Sequence, residues 1–264
     1  MGTTPAYAQS KTYYLPEPLA RVLISSGSAL PSAPEPWMLK ELGNLLPATR
    51  ARPLPQMAPD LEKVVGKVIQ RATKIPAVPV LEGERLNTVY GYIGAEQHLP
   101  RYLGDSITKH NELQNVGITK SRGAFGYFAS VQGLTEEAIM REKYYVAVQT
   151  LYLPNWGKRA KYLKDWYKWR KVIVVNPENG NAVVAVVGDA GPAAWTGKQF
   201  GGSPEVMETL GGKRYKKGRV LLYFVDDPQN KVALGPVRYQ VPDVIIIPTP
   251  YMQEQEIKKP SKTT

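Results

Sequence analysis

The sequence predicts a mainly β chain with short helices, preceded by a proline-rich, irregular to helical N-terminal region. Three observations carry this prediction. Two β-branched runs, 172–175 and 182–187, flank Asn176-Pro177-Glu178-Asn179-Gly180-Asn181, whose Asn-Gly pair supplies the positive φ angles of a tight hairpin turn. Further apolar runs suited to strands recur at 144–150, 219–225 and 232–240, each bounded by turn residues. Finally, 23 Gly and 23 Pro in 264 residues favour loops and short strands over long helices.

Residues 1–58 read as a Pro-rich arm or linker. Pro16, Pro18, Pro31, Pro34, Pro36, Pro47, Pro53 and Pro55 each remove a backbone donor, so only short helical pieces such as 19–24 and 37–46 fit between them. Residues 59–121 form a helical and irregular N-terminal region. Its clearest helix is 59–72, where Leu61, Val64, Val65, Val68 and Ile69 make one apolar stripe. Beyond it, 80–115 reads as irregular, with Tyr90-Gly91-Tyr92 and Glu96-Gln97-His98. From Arg122 the small and aromatic alternation through Ser130 suggests β structure, followed by a helix at 135–141 capped by Thr135. Residues 122–240 are therefore assigned to the β domain, and 241–264 to a C-terminal strand, 244–247, with a polar tail.

The formal net charge of +11 favours an anionic partner: nucleic acid, a lipid surface or an acidic wall polymer. Cysteine is absent, which excludes disulfides, a thiolate nucleophile and Cys-ligated zinc. Two histidines, His98 and His110, argue against a multi-histidine metal site or a triad, and no metal or cofactor is assigned. His98 near Glu96 invites an acid–base reading, yet a lone loop histidine is more often a structural hydrogen-bonding group. No stretch has the ~18 apolar residues needed to span a bilayer. Ala6-Tyr7-Ala8-Gln9 has the small-x-small pattern of a signal-peptidase site, so a secreted or envelope location is expected.

Residues 156–171 carry seven Lys or Arg against one Asp, interleaved with Trp156, Tyr162, Trp166, Tyr167 and Trp169. Such a segment can stack bases or sugar rings while its cations hold anions. It can equally be a helix with an aromatic face in the core and solvated charges outside.

The most site-like stretch follows the hairpin. Gly188-Asp189-Ala190-Gly191-Pro192 places a carboxylate at a strand end beside a Gly-Pro turn. A Gly-rich loop with Trp195, Thr196 and Lys198 comes next, then a helix capped by Ser203 and Pro204 and ended by Gly211-Gly212.

Over 183–210 the chain resembles the double-psi β-barrel domains of rare lipoprotein A, a septal-ring lytic transglycosylase-like family, and more distantly expansins. The shared pattern is an Asn-Gly hairpin, a strand ending in Asp-Arg-Gly-Pro, a Gly-Arg-Ile-Ile-Asp-Leu-Ser segment and a helix ending near Leu-Gly. Asp189-Ala190-Gly191-Pro192 matches the first motif with Ala190 in place of Arg. Gly197-Lys198-Gln199-Phe200-Gly201-Gly202-Ser203 matches the second, with Gly201 where its Asp would be. The resemblance implies a six-stranded barrel whose groove binds glycan strands; some members cleave peptidoglycan as lytic transglycosylases, while expansins loosen wall polymers without hydrolysis.

Glycoside hydrolysis ordinarily needs two carboxylates flanking the bond, whereas a lytic transglycosylase can work with one general acid because the substrate's own hydroxyl attacks. On this reading Asp189 is the candidate acid, with Trp195, Thr196, Lys198, Trp166 and Trp169 as candidate substrate-binding residues. The expected partner is an anionic cell-wall polymer or other polysaccharide. Two alternatives stay open: a non-catalytic glycan-binding or structural envelope protein with a degenerate site, and a nucleic-acid-binding protein using 156–171.

Overall fold

A computed structural model describes residues 34–239 except 50, 52, 131 and 132. The chain divides into two units, and all described residues belong to the second, Ser32–Tyr239. The helix expected at 19–24, the signal-like Ala6 to Ala8 and the strand at 244–247 lie outside the described residues.

The core of the fold is a closed six-stranded mixed β-barrel. Its strands are β4 (Tyr90–Ala95), β5 (Tyr145–Val148), β6 (Lys171–Val175), β7 (Ala182–Ala190), β8 (Phe200–Gly202) and β9 (Lys217–Val225). Round the barrel the order is β4, β8, β5, β7, β6, β9 and back to β4. The β4–β8 and β5–β7 contacts are parallel, and the other four are antiparallel. Closure leaves no open edge among these six strands. Two short strands extend the sheet: β1 (Ala77–Val78) pairs with β9, and β10 (Gly235–Pro236) pairs with β7. A separate hairpin joins β2 (Val80–Leu81) to β3 (Glu84–Arg85).

The β6–β7 hairpin is the one expected, with Gly180 at φ 78° in its turn and Gly180 N–H donating to Asn176 O at 2.8 Å. Val172, Ile173, Val174 and Val175 are all fully buried, so both faces of β6 are covered and the apolar run is continuous instead of alternating. Among the described residues five α-helices accompany the barrel: α1 (Pro36–Leu45), α2 (Pro59–Thr73), α3 (Glu136–Lys143), α4 (Trp156–Tyr167) and α5 (Pro204–Gly211). The stripe of α2 buries Val65, Val68 and Ile69, and the Tyr223 hydroxyl of β9 donates to Glu62 O in the same helix. Thr135 caps α3 by accepting from Ala138 N–H, and Ser203 caps α5 by accepting from Val206 N–H. Asn176 and Asn179 in the hairpin turn both donate to Leu210 O, tying the end of α5 to the barrel.

Two expectations change. Residues 80–115 are not irregular throughout, because Tyr90–Ala95 is the first barrel strand, so the barrel draws on chain well upstream of residue 122. Residues 123–130 form turns: Gly126 N–H closes on Gly123 O at 3.0 Å with Gly126 at φ 98°, and the aromatic alternation fills a loop. Asp227 is a turn acid, accepting from Lys231 and Val232 N–H at 2.8 Å each. Among the described residues no helix is long and apolar enough to cross a membrane.

Candidate functional site

A register shift places Asp189. Val146 of β5 pairs with Val187 of β7, but the next residue, Ala147, pairs with Asp189, which leaves Gly188 as an extra residue in β7. Such a bulge re-aims the side chain that follows it. Only glycine fits there, since a Cβ on residue 188 would lie 2.7 Å from Tyr145 Cβ. On its other side Ala147 pairs with Gly201 of β8. Gly201, Ala147 and Asp189 thus form one row across three strands, and the outer two Cα atoms are about 10 Å apart at the usual strand spacing.

Asp189 is held by two amides. Ala124 N–H donates to its Oδ1 at 2.6 Å and Ala190 N–H to the same oxygen at 2.8 Å. Burial raises the carboxyl's pKa above the ordinary aspartate value, opposed by these two hydrogen bonds. With both amides on Oδ1, Oδ2 is the oxygen left to carry a proton.

A second carboxylate occupies the space beside Gly201. A Cβ on residue 201 would meet Glu96 Oε1 at 2.5 Å, Cγ at 2.6 Å and Cδ at 2.8 Å. Glu96 follows β4 directly, and its N–H donates to Gly202 O at 2.9 Å, which sets its side chain over the neighbouring residue. The absence of a side chain at Gly201 leaves the volume that Glu96 occupies. Burial raises the Glu96 pKa, the Lys198 ammonium opposes that rise, and the Asp189 charge adds to it. Lys198 Nζ lies 3.5 Å from Glu96 Oε1, and its stem crosses Gly94, where a Cβ would meet Lys198 Cδ. Asp189, Glu96 and Lys198 therefore form one electrostatically coupled set.

Gln149, buried just after β5, anchors the loop beside this set. Its amide donates to Pro192 O at 3.0 Å and Lys198 O at 3.1 Å, while its carbonyl accepts from Asn87 Nδ2 at 3.0 Å. Thr196 shapes the same loop internally: its hydroxyl donates to Ala193 O and accepts from Lys198 N–H. Trp195 projects from it with 89% exposure. Tyr152 accepts from Ala194 N–H, and with Leu151, also exposed, it adds an apolar rim to the loop.

The other two aromatic candidates lie elsewhere. Trp166 is buried in α4, edge-on to Phe224 at 5.3 Å between centroids, with its indole N–H on Glu82 Oε2. Trp169 stacks on Phe128 at 4.6 Å. The α4 segment turns Leu163, Trp166 and Tyr167 inward and keeps Lys158, Lys161 and Lys164 exposed, the amphipathic alternative of the two weighed for it. Three cations of 156–171 are engaged, Arg159 with Glu84, Arg170 with Glu82 and Lys171 with Asp227.

His98 pairs with Glu142, not with neighbouring Glu96. Burial disfavours its charged form, yet the hydrogen bond and charge of Glu142 prevail and its pKa is raised. The sequence marks Glu96 only as a neighbour of His98 and contains no local signal for Gln149 or Ala124 as site residues. Each becomes visible only when strands far apart in the chain are paired. No family model matches the chain, and no curated protein matches it either.

Proposed function

We propose that the chain is a double-psi β-barrel protein of the cell envelope or its exterior that binds glycan strands at Asp189 and cleaves them as a lytic transglycosylase. The observation that supports this most is the exchange at Gly201: the acid lost from β8 is replaced in space by Glu96, which restores a two-carboxylate site on the barrel. In this reading Asp189 donates the Oδ2 proton to the glycosidic oxygen as the C–O bond breaks. Glu96 accepts the proton of the sugar's own hydroxyl as it closes on the anomeric carbon, leaving an anhydro-sugar end. The Lys198 ammonium beside Glu96 opposes the burial that raises its pKa, and Trp195 offers a face on which a sugar ring can stack.

Purified peptidoglycan and cellulose incubated with the protein provide the test, with mass spectrometry of what is released. Anhydro-ended fragments from wild type and none from Asp189→Asn are expected. Equal release by the two proteins, or no release by wild type, refutes cleavage at Asp189. Retention on the insoluble glycan without cleavage would reduce the function to binding alone.

A further inference from the structure

Both histidines converge on a second polar centre, which the glycan reading does not use. His98 Nδ1 lies 2.9 Å from Glu142 Oε1, and His110 Nδ1 lies 3.4 Å from Glu142 Oε2. One donor atom from each of the three residues lies within 4.8 Å of the others, and all three are buried. Tetrahedral ligands at the usual zinc distances are roughly 3.3 Å apart, so the two shortest separations already suit an ion. His110 Nε2 faces Asp105 Oδ2 at 3.1 Å, and Asp105 is itself held in a fork by Arg101 at 2.8 and 2.9 Å. A carboxylate on the outer nitrogen of a ligating histidine is the recurrent support that fixes its tautomer.

One further atom is unexplained by the hydrogen bonding present. Glu205 Oε2 is buried without a partner among the described residues, whereas the outer nitrogen of His98 has the Leu113 carbonyl beside it. Glu205, at the start of α5, lines a cavity of about 140 Å³ together with His110 and Glu142. With Asp105 neutralised by Arg101, two buried carboxylates, Glu142 and Glu205, face two imidazoles. The two imidazole rings themselves lie close, with centroids 4.7 Å apart.

We propose that His98, His110 and Glu142 bind one divalent transition-metal cation of the zinc type, with Glu205 beside the fourth position. Two imidazoles and a carboxylate are the donor set such ions select. The ion would clamp the 98–119 loop to α3 and α5, because its ligands come from both the loop and α3. It is a structural site, separate from the Asp189 and Glu96 carboxylates, and stands whether or not the glycan reading does.

The test is titration of metal-stripped, full-length protein with Co²⁺ and Zn²⁺. Saturation at one equivalent, a visible four-coordinate Co²⁺ absorption displaced by Zn²⁺, and a rise in melting temperature on loading are expected. Asp105→Asn should keep the stoichiometry and weaken binding by about 10–100-fold, and His110→Ala should abolish the Co²⁺ band. Absence of a saturable band in the wild type overturns the proposal without any variant having to fold. An undiminished band in folded His110→Ala overturns it as well.

Discussion

The fit between Gly201 and Glu96 can be tested by stability alone. Gly201→Ala would put a methyl 2.5 Å from Glu96 Oε1 and 2.6 Å from Cγ, well inside contact distance. Glu96 would have to withdraw and break its 3.5 Å pair with Lys198. With side chains 33% and 23% exposed, that pair contributes at most about 1 kcal/mol. Overpacking a strand whose residues are buried adds about 1–3 kcal/mol. Gly201→Ala should therefore destabilise by about 1–3 kcal/mol, or about 2–4 °C per kcal/mol for a domain of this size. Glu96→Ala should remove most of that penalty, so urea unfolding of wild type, the two single variants and the double variant should give a coupling of about 1–2 kcal/mol. Additivity within ~0.5 kcal/mol would show that Glu96 does not fill the space at Gly201.

Asp189 supplies a pH prediction. Its folded pKa is raised by burial, so the folded state holds the proton more tightly than the unfolded one, and stability falls as pH rises from the ordinary aspartate range, about 3.9, through the folded value. Asp189→Asn should gain on wild type in melting temperature as pH rises to neutrality, with a constant difference below that window; a gap independent of pH would contradict the raised value. Gln149→Ala should cost about 1–3 kcal/mol and speed amide exchange in the 191–199 loop, measured by mass spectrometry, because the Pro192 and Lys198 carbonyls lose their shared donor. Trp195→Ala should leave stability within ~0.5 kcal/mol, given its exposure, but weaken retention on insoluble glycan in a sedimentation assay. Gly66→Ala should destabilise by about 1–3 kcal/mol in urea unfolding despite its better helix propensity, because its Cβ would meet Ala77 O at 2.6 Å and the Tyr223 ring at 3.2 Å.

What the sequence made legible is local. The β6–β7 hairpin was readable because Asn179-Gly180 separates two β-branched runs, and α2 because its apolar residues keep helical spacing from Leu61 to Ile69, although Val64 stays exposed. The Ser203 and Thr135 caps follow from side chains acting within three residues of themselves. β4 was hidden because Gly91 and Gly94 interrupt its pattern, and those glycines are needed where Gln199 and Lys198 cross the strand. Asp189 was legible as a strand-end acid, but the bulge at Gly188 that turns it into the row with Gly201 depends on Tyr145 in another strand. Glu96 and Gly201 are more than a hundred residues apart, so their complementarity has no signature in either neighbourhood. The two histidines looked solitary for the same reason: Glu142 joins them from a helix after a long loop.

The most direct test of the glycan reading is an NMR titration of isotope-labelled protein with a soluble peptidoglycan fragment. The account predicts saturable shifts of the Asp189 and Glu96 carboxyls and the Trp195 indole, with the α4 lysines unmoved. Shifts confined to Lys158, Lys161 and Lys164, or none near Asp189 while the fragment binds, would contradict it.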